Sequence, residues 1–180
     1  IIAVGLNYRS HAAELNMAVP DEPILFMKPP SAVIASGEAI VLPPSSGQVD
    51  YEAELAVVIG KTARGVEVGE AADIVMGYTC ANDVTARDLQ KRGGQWTRSK
   101  SFDTFCPLGP WVESVAPAPN SLEEVVLYGE LRQRAPAPDM LFSPFSLVAF
   151  ICGVLAPTRW RAVLTLPSPG VYADTAVLRV

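Results

Sequence analysis

The clearest alternation of apolar and polar positions lies over residues 50–60. It predicts a strand closed by Gly60, and successive side chains on a strand point to opposite faces. Glu52 and Glu54 then share one face, with Asp50 next in line, while Leu55, Val57 and Ile59 form the core face. Shorter apolar runs predict strands at residues 1–5, 24–26, 39–42, 77–81 and 125–128, a turn at Tyr128-Gly129, and closing strands at 163–166 and 175–180. Helical spacing predicts a short helix capped by Ser10, another over 68–76 turning Glu70 and Asp73 outward, a helical turn over 84–90, and an apolar helix from Pro144 to about Leu155. Residues 17–48 are rich in proline and read as loops around two of those strands.

Composition narrows the class. The 180 residues fit one domain, and 49% hydrophobic against 18% charged residues describes a rather apolar globular chain. A formal net charge of −5 and a pI near 4.9, with no basic run, exclude a nucleic-acid surface. Cys80, Cys106 and Cys152 show no metal-ligand spacing and are expected to be small buried hydrophobes in a reducing compartment. No apolar run reaches membrane-spanning length, so a soluble, cytoplasmic protein is expected. The chain begins Ile-Ile rather than with Met, and an N-terminal segment is expected to be missing.

Two carboxylates one strand repeat apart repel unless water, a proton or a cation separates them. A hard divalent cation such as Mg²⁺ or Mn²⁺ takes oxygen ligands and would turn Glu52 and Glu54 into a binding pair. The plainer alternative is the solvated face of an antiparallel strand. His11, the only histidine, lies three residues before Glu14; on a helix the two share a face, and a carboxylate beside an imidazole makes a general base. The same spacing suits an exposed surface pair. Asp83 stands where a strand gives way to a helical turn, as a helix cap or as a third oxygen ligand facing Glu52 and Glu54. Arg87, four residues on, would project from the same face towards a bound anion. Lys100, among small polar residues, could polarise a carbonyl or bind an enolate, or simply be solvated. Lys28 reads as a surface lysine, and no internal repeat, phosphate loop, GxSxG elbow or HExxH occurs.

Five stretches in order give these residues a common frame. They are Gly5-Leu6-Asn7-Tyr8 followed by His11-Ala12-Ala13-Glu14; Pro23-Ile24-Leu25-Phe26-Met27-Lys28-Pro29; Glu52-Ala53-Glu54-Leu55 with Val58-Ile59-Gly60; Asn82-Asp83-Val84-Thr85-Ala86-Arg87-Asp88-Leu89-Gln90; and Trp96-Thr97-Arg98-Ser99-Lys100-Ser101-Phe102-Asp103. Together they resemble the catalytic domain of the fumarylacetoacetate hydrolase family, from Val4 to about Phe150. The resemblance implies a mainly β fold with short helices (α+β), a rolled mixed sheet, as one catalytic domain over residues 1–180, commonly a homodimer. It implies Mg²⁺ or Mn²⁺ on Glu52, Glu54 and Asp83, water activation by His11 with Glu14, and substrate contacts from Lys100, Arg87 and Gln90.

The implied partner is a small-molecule 2-oxo acid or 1,3-dicarbonyl compound. The expected reaction is hydrolysis of a C–C bond in an acylpyruvate, with an enolate stabilised by Lys100 and the cation. The alternatives are an isomerase or decarboxylase of a 2-oxo or 2-hydroxydiene diacid in aromatic-compound degradation, and a non-catalytic protein that keeps the fold and binds such a ligand. The chain's end departs from the family. Where a Thr-Gly-Thr-Pro-x-Gly-Val-Gly loop is expected, only Thr165, Gly170 and Val171 keep their places, and residues 157–161 replace a Pro-Gly-Asp turn.

Overall fold

In the computed structural model the described residues are 1–14, 16–117, 122–127, 130–157, 162–165 and 170–171, with backbone alone at 14, 122–127, 130–137, 162–165 and 170–171. The alternating stretch forms two strands, β4 (Val49–Tyr51) and β5 (Ala53–Ile59), broken at Glu52. The break is a change of sheet. β5 lies inside a seven-stranded sheet, between β6 (Val75–Asn82) and β11 (Ala162–Thr165), antiparallel to both. β4 pairs instead with β7 (Thr85–Ala86) and β12 (Gly170–Val171) in a three-stranded sheet.

The larger sheet is mixed. β1 (Ile2–Gly5) runs parallel to β11 and antiparallel to β2 (Ile24–Met27), and β3 (Val33–Ala35) runs parallel to β8 (Cys106–Glu113) beyond β6. A separate hairpin joins β9 (Leu122–Leu127) to β10 (Glu130–Pro136). The helices are short: α1 (Arg9–Glu14), α2 (Arg87–Arg92), α3 (Thr97–Lys100) and α4 (Pro144–Val154). The fold is therefore mixed β with short helices, as expected.

Both faces of β5 are covered, which removes the solvated-face alternative for its carboxylate. Val57 and Ile59 pack with Ile2, Val4 and the apolar side of α4, including Leu147 and Ile151. α4 starts where Ser143 accepts the Ser146 N–H through its hydroxyl and Pro144 fills the first turn. On the opposite face Ala56 meets Ala3, Ala32, Ala81 and Cys106, a layer of small side chains into which Glu54 projects from the same strand face.

Several expectations are corrected. No strand forms over 39–42, where the Val41 N–H donates to the Thr104 hydroxyl at 2.8 Å; the strand is β3, earlier in the chain. Ser10 does not cap α1, which begins at Arg9; its N–H and hydroxyl both donate to Asp139. Residues 68–76 give a 3₁₀ turn, Val68–Ile74, closed by a reciprocal Glu67/Glu70 box, with Glu70 and Asp73 outward. Cys80 is exposed, whereas Cys106 and Cys152 are buried and free. The turn at Tyr128-Gly129, the strand over 175–180 and most of the divergent terminal segment lie outside the described residues; within that segment Gly170 and Val171 pair with Tyr51 and Asp50.

Candidate active site

The break at Glu52 is fixed by the strand beside it. The Glu52 N–H donates to Asn82 Oδ1 at 3.0 Å, and the Asp83 N–H donates to the Glu52 carbonyl at 2.9 Å. These two bonds bring the ends of β5 and β6 together. Glu52, Glu54 and Asp83 consequently offer oxygen atoms within 4.8 Å of one another, all buried. Asp83 does not cap a helix, since α2 begins four residues later.

Four carboxylates (Asp50, Glu52, Glu54, Asp83) and three cations (Lys28, Arg87, Lys100) are buried here. Arg87 does not share a helix face with Asp83. Its Nε donates to Asp50 Oδ2 at 2.6 Å, one terminal nitrogen donates to Glu52 Oε1, and the other donates to Gln90 Oε1 at 2.5 Å. Lys100 ends α3, whose Lys100 N–H donates to the Trp96 carbonyl at 3.0 Å, and its Nζ donates to Glu52 Oε2 at 2.8 Å and Asp83 Oδ2 at 2.5 Å. The solvated-lysine alternative therefore fails. Lys28, expected at the surface, is 1% exposed and paired with Asp83. Its position after an apolar run and before Pro29 was the available signal.

The charges set each other's protonation. Burial alone would raise the Glu52 carboxyl, but Lys100 and Arg87 outweigh it and hold it at about 2. Burial pulls the Lys100 ammonium down, and Asp83 and Glu52 more than offset this, so it lies above the usual lysine value. Glu54 differs. It is 2% exposed, neither carboxylate oxygen has a hydrogen-bond partner among the described residues, and burial followed by the Asp83 charge pushes it well above the usual range. A buried carboxylate without a partner costs on the order of several kcal/mol, so it takes up either a proton or a cation. All three donors are hard oxygens, the buried set carries one more carboxylate than cation, and Glu54 has both oxygens open. These residues fit a divalent cation.

Beside this cluster lies a cavity of about 290 Å³ lined by Leu6, His11, Met17, Arg87, Trp96 and Lys100, with Glu52 on its floor. His11 is buried on the cavity wall rather than in an exposed pair. The Glu14 backbone ends α1, and its side chain lies outside the described residues, as does any pairing with His11. Gln90, expected beside the substrate, also lines the cavity. The Trp96 ring packs edge-on to Phe26 at 5.4 Å, and the Phe26 ring lies under Lys100 Nζ at 5.0 Å. Gly5 makes room for this: a Cβ there would sit 2.4 Å from the Trp96 ring. Trp96 and Phe26 were not singled out from sequence, though both sit inside motif stretches.

Among the described residues no helix is long and apolar enough to cross a membrane. A protein of Archaeoglobus fulgidus with no assigned activity is 50% identical over 171 residues, covering 95% of this chain and 68% of that protein. The mitochondrial oxaloacetate tautomerase FAHD2B of Bos taurus is 41% identical over 176 residues, covering 95% of this chain and 56% of that protein. Among solved structures, 5-carboxymethyl-2-hydroxymuconate delta-isomerase from Mycobacterium smegmatis matches with a TM-score of 0.85 at 36% identity, covering 98% of this chain and 75% of that one. The sequence profile of the fumarylacetoacetate (FAA) hydrolase C-terminal domain matches residues 1–156. With that match, and with the five motif stretches converging on one buried cluster, the chain belongs to the fumarylacetoacetate hydrolase family.

Proposed function

We propose that the protein is an isomerase that interconverts the keto and enol forms of a small anionic 2-oxo acid, assisted by Mg²⁺ or Mn²⁺ held by Glu52, Glu54 and Asp83. The observation that carries this reading is the Glu54 carboxylate, without a hydrogen-bond partner among the described residues and clustered with Glu52 and Asp83, beside a cavity that Glu52, Lys100 and Arg87 line. The names of the tautomerase and isomerase relatives favour isomerisation over the hydrolysis expected from the motifs alone. A dication bound to the carboxylates would supply Lewis-acid polarisation of the carbonyl.

The chain's own groups supply the rest. Arg87 spends three donors on Asp50, Glu52 and Gln90, and its remaining N–H groups can bind the substrate carboxylate. Lys100 stays charged and stabilises the oxygen on which negative charge gathers. The His11 imidazole removes a proton from the carbon beside the carbonyl and delivers it to that oxygen. Leu6, Met17 and Trp96 keep water away from the reacting carbon. A homodimer and a cytoplasmic setting belong to the same proposal.

Hydrolysis of an acylpyruvate is the second reading, favoured by the placement of His11 on the cavity wall, where it could activate water. The test follows the enol absorbance of oxaloacetate with Mn²⁺ present. Faster decay than in buffer, lost in His11→Ala, supports the isomerase. No acceleration with either cation removes it. Release of pyruvate from an acylpyruvate would place hydrolysis first, and cation binding without any turnover would leave a binding protein.

A further inference from the structure

Glu52 and Asp83 each divide their two carboxylate oxygens between two cations. For Asp83, Lys28 Nζ holds Oδ1, and Lys100 Nζ holds Oδ2 together with Glu52 Oε2. The two lysines are not equivalent. Lys100 lines the cavity, whereas Lys28, the residue after β2, reaches Asp83 without lining the cavity and donates also to the Val84 carbonyl at 3.3 Å. Its side chain is fully buried. No substrate in the cavity needs to touch it, and it is still a charge that the fold has desolvated.

We propose that Lys28 is a positioning residue that sets the cation preference of the site. By holding Oδ1 it orients the Asp83 carboxylate so that Oδ2 faces Glu52. Lys100, which holds Oδ2 and reaches it from the cavity, is the donor a bound cation would displace, and Asp83 would then present that one oxygen. Arg87 does the same to Glu52 through Oε1, with Lys100 on Oε2, and among the described residues Glu54 is the one of the three with both oxygens open. Ca²⁺ takes roughly six to eight oxygens and commonly uses two-oxygen carboxylates, whereas Mg²⁺ and similar small cations settle for fewer ligands in near-octahedral geometry. A carboxylate pinned at one oxygen therefore disfavours Ca²⁺. The inference rests on Glu52, Glu54 and Asp83 being the cation site, and it concerns a residue outside that set.

The test uses the whole purified protein and needs no turnover: Mn²⁺ and Ca²⁺ affinities by calorimetry for the wild type, Lys28→Met and Lys28→Gln. Removing the buried charge of Lys28 strengthens the attraction for both dications alike, whereas partners that orient a metal ligand typically hold about 10–100-fold of the affinity. The readout is therefore the Mn²⁺/Ca²⁺ affinity ratio, which Lys28→Met is expected to lower within that range. The freed Oδ1 becomes available to Ca²⁺, which uses two-oxygen carboxylates, so the ratio narrows. Lys28→Gln keeps a shorter, neutral donor and is expected to narrow the ratio in the same direction by less. It also decides the matter if Lys28→Met does not fold. A purely structural ion pair would change both affinities in proportion, and an unchanged ratio in the folded variants overturns the proposal. A wild type that binds neither cation overturns the site itself, and the proposal with it.

Discussion

The two faces of β5 obey opposite rules. The face under α4 is apolar and interlocked: Val57 and Ile59 with Ile2, Val4, Leu147 and Ile151. The other face is built of alanines and ends in Glu54, beside seven buried charged groups counted with it. Close-packed apolar contacts stabilise the fold whatever is bound. The charged face desolvates groups that would be more stable in water, and its small side chains let strand and helix ends approach closely enough to hold them. One face thus supplies stability that the other uses to keep an acidic cluster dry, and a site gains from that because charges act more strongly away from water.

The sharpest way to break this contrast is to change each face separately. Ile151→Ala in α4 should lower stability by about 2–5 kcal/mol, read as a fall in urea midpoint, while Mn²⁺ affinity stays at the wild-type value. A large loss of affinity would show that the two faces are not separable. Next in size is the cation itself. At a free concentration about 100 times its dissociation constant, Mn²⁺ should stabilise the wild type by about 2.7 kcal/mol, seen as a thermal shift on the order of 5–10 °C.

Glu54→Gln should cancel that shift and yet raise the melting temperature of the metal-free protein, since it removes a buried carboxyl that must either take up a proton or stay charged with no hydrogen-bond partner among the described residues. A lower metal-free melting temperature would mean that Glu54 is satisfied by something other than a cation or a proton. The smallest effect is with pH. Glu54 titrates above its usual value of 4.5 in the folded protein, so the folded state keeps a proton that the unfolded chain has lost, and stability falls as pH rises through that window. Glu52, held at about 2, works the other way: its contribution is complete above 4.5 and is lost as pH falls towards 2. Metal-free protein should therefore melt higher at about pH 5 than at neutral pH, and Glu54→Gln should flatten that rise. Scanning calorimetry over the range reads both.

Much of the fold and the cluster was legible because it is local. Alternation over residues 50–60 placed Glu52 and Glu54 on a strand, the apolar stretch from Pro144 read as a helix, and the motif order brought Asp83 and Lys100 into one frame. The differences are of another kind. Lys28 is buried rather than at the surface, Arg87 turns to Asp50 and Glu52 rather than beside Asp83, and residues 39–42 form no strand. Each depends on a partner far along the chain. Lys28 and Asp83 are 55 residues apart, Arg87 and Glu52 35, and Val41 and Thr104 63.

By itself the sequence determined the kind of elements present, the family, and which acidic residues could be gathered. Those follow from side-chain periodicity and from residue types at short spacing. Only the tertiary structure decided that the strand breaks at Glu52, that both faces of β5 are covered, and which cation holds which carboxylate oxygen. A carboxylate looks the same in a sequence whether it is wet, paired or partnerless. Burial and distance separate Glu54 from Glu52, and both arise from the meeting of β5, β6, β2 and α3, which no short window of the chain contains.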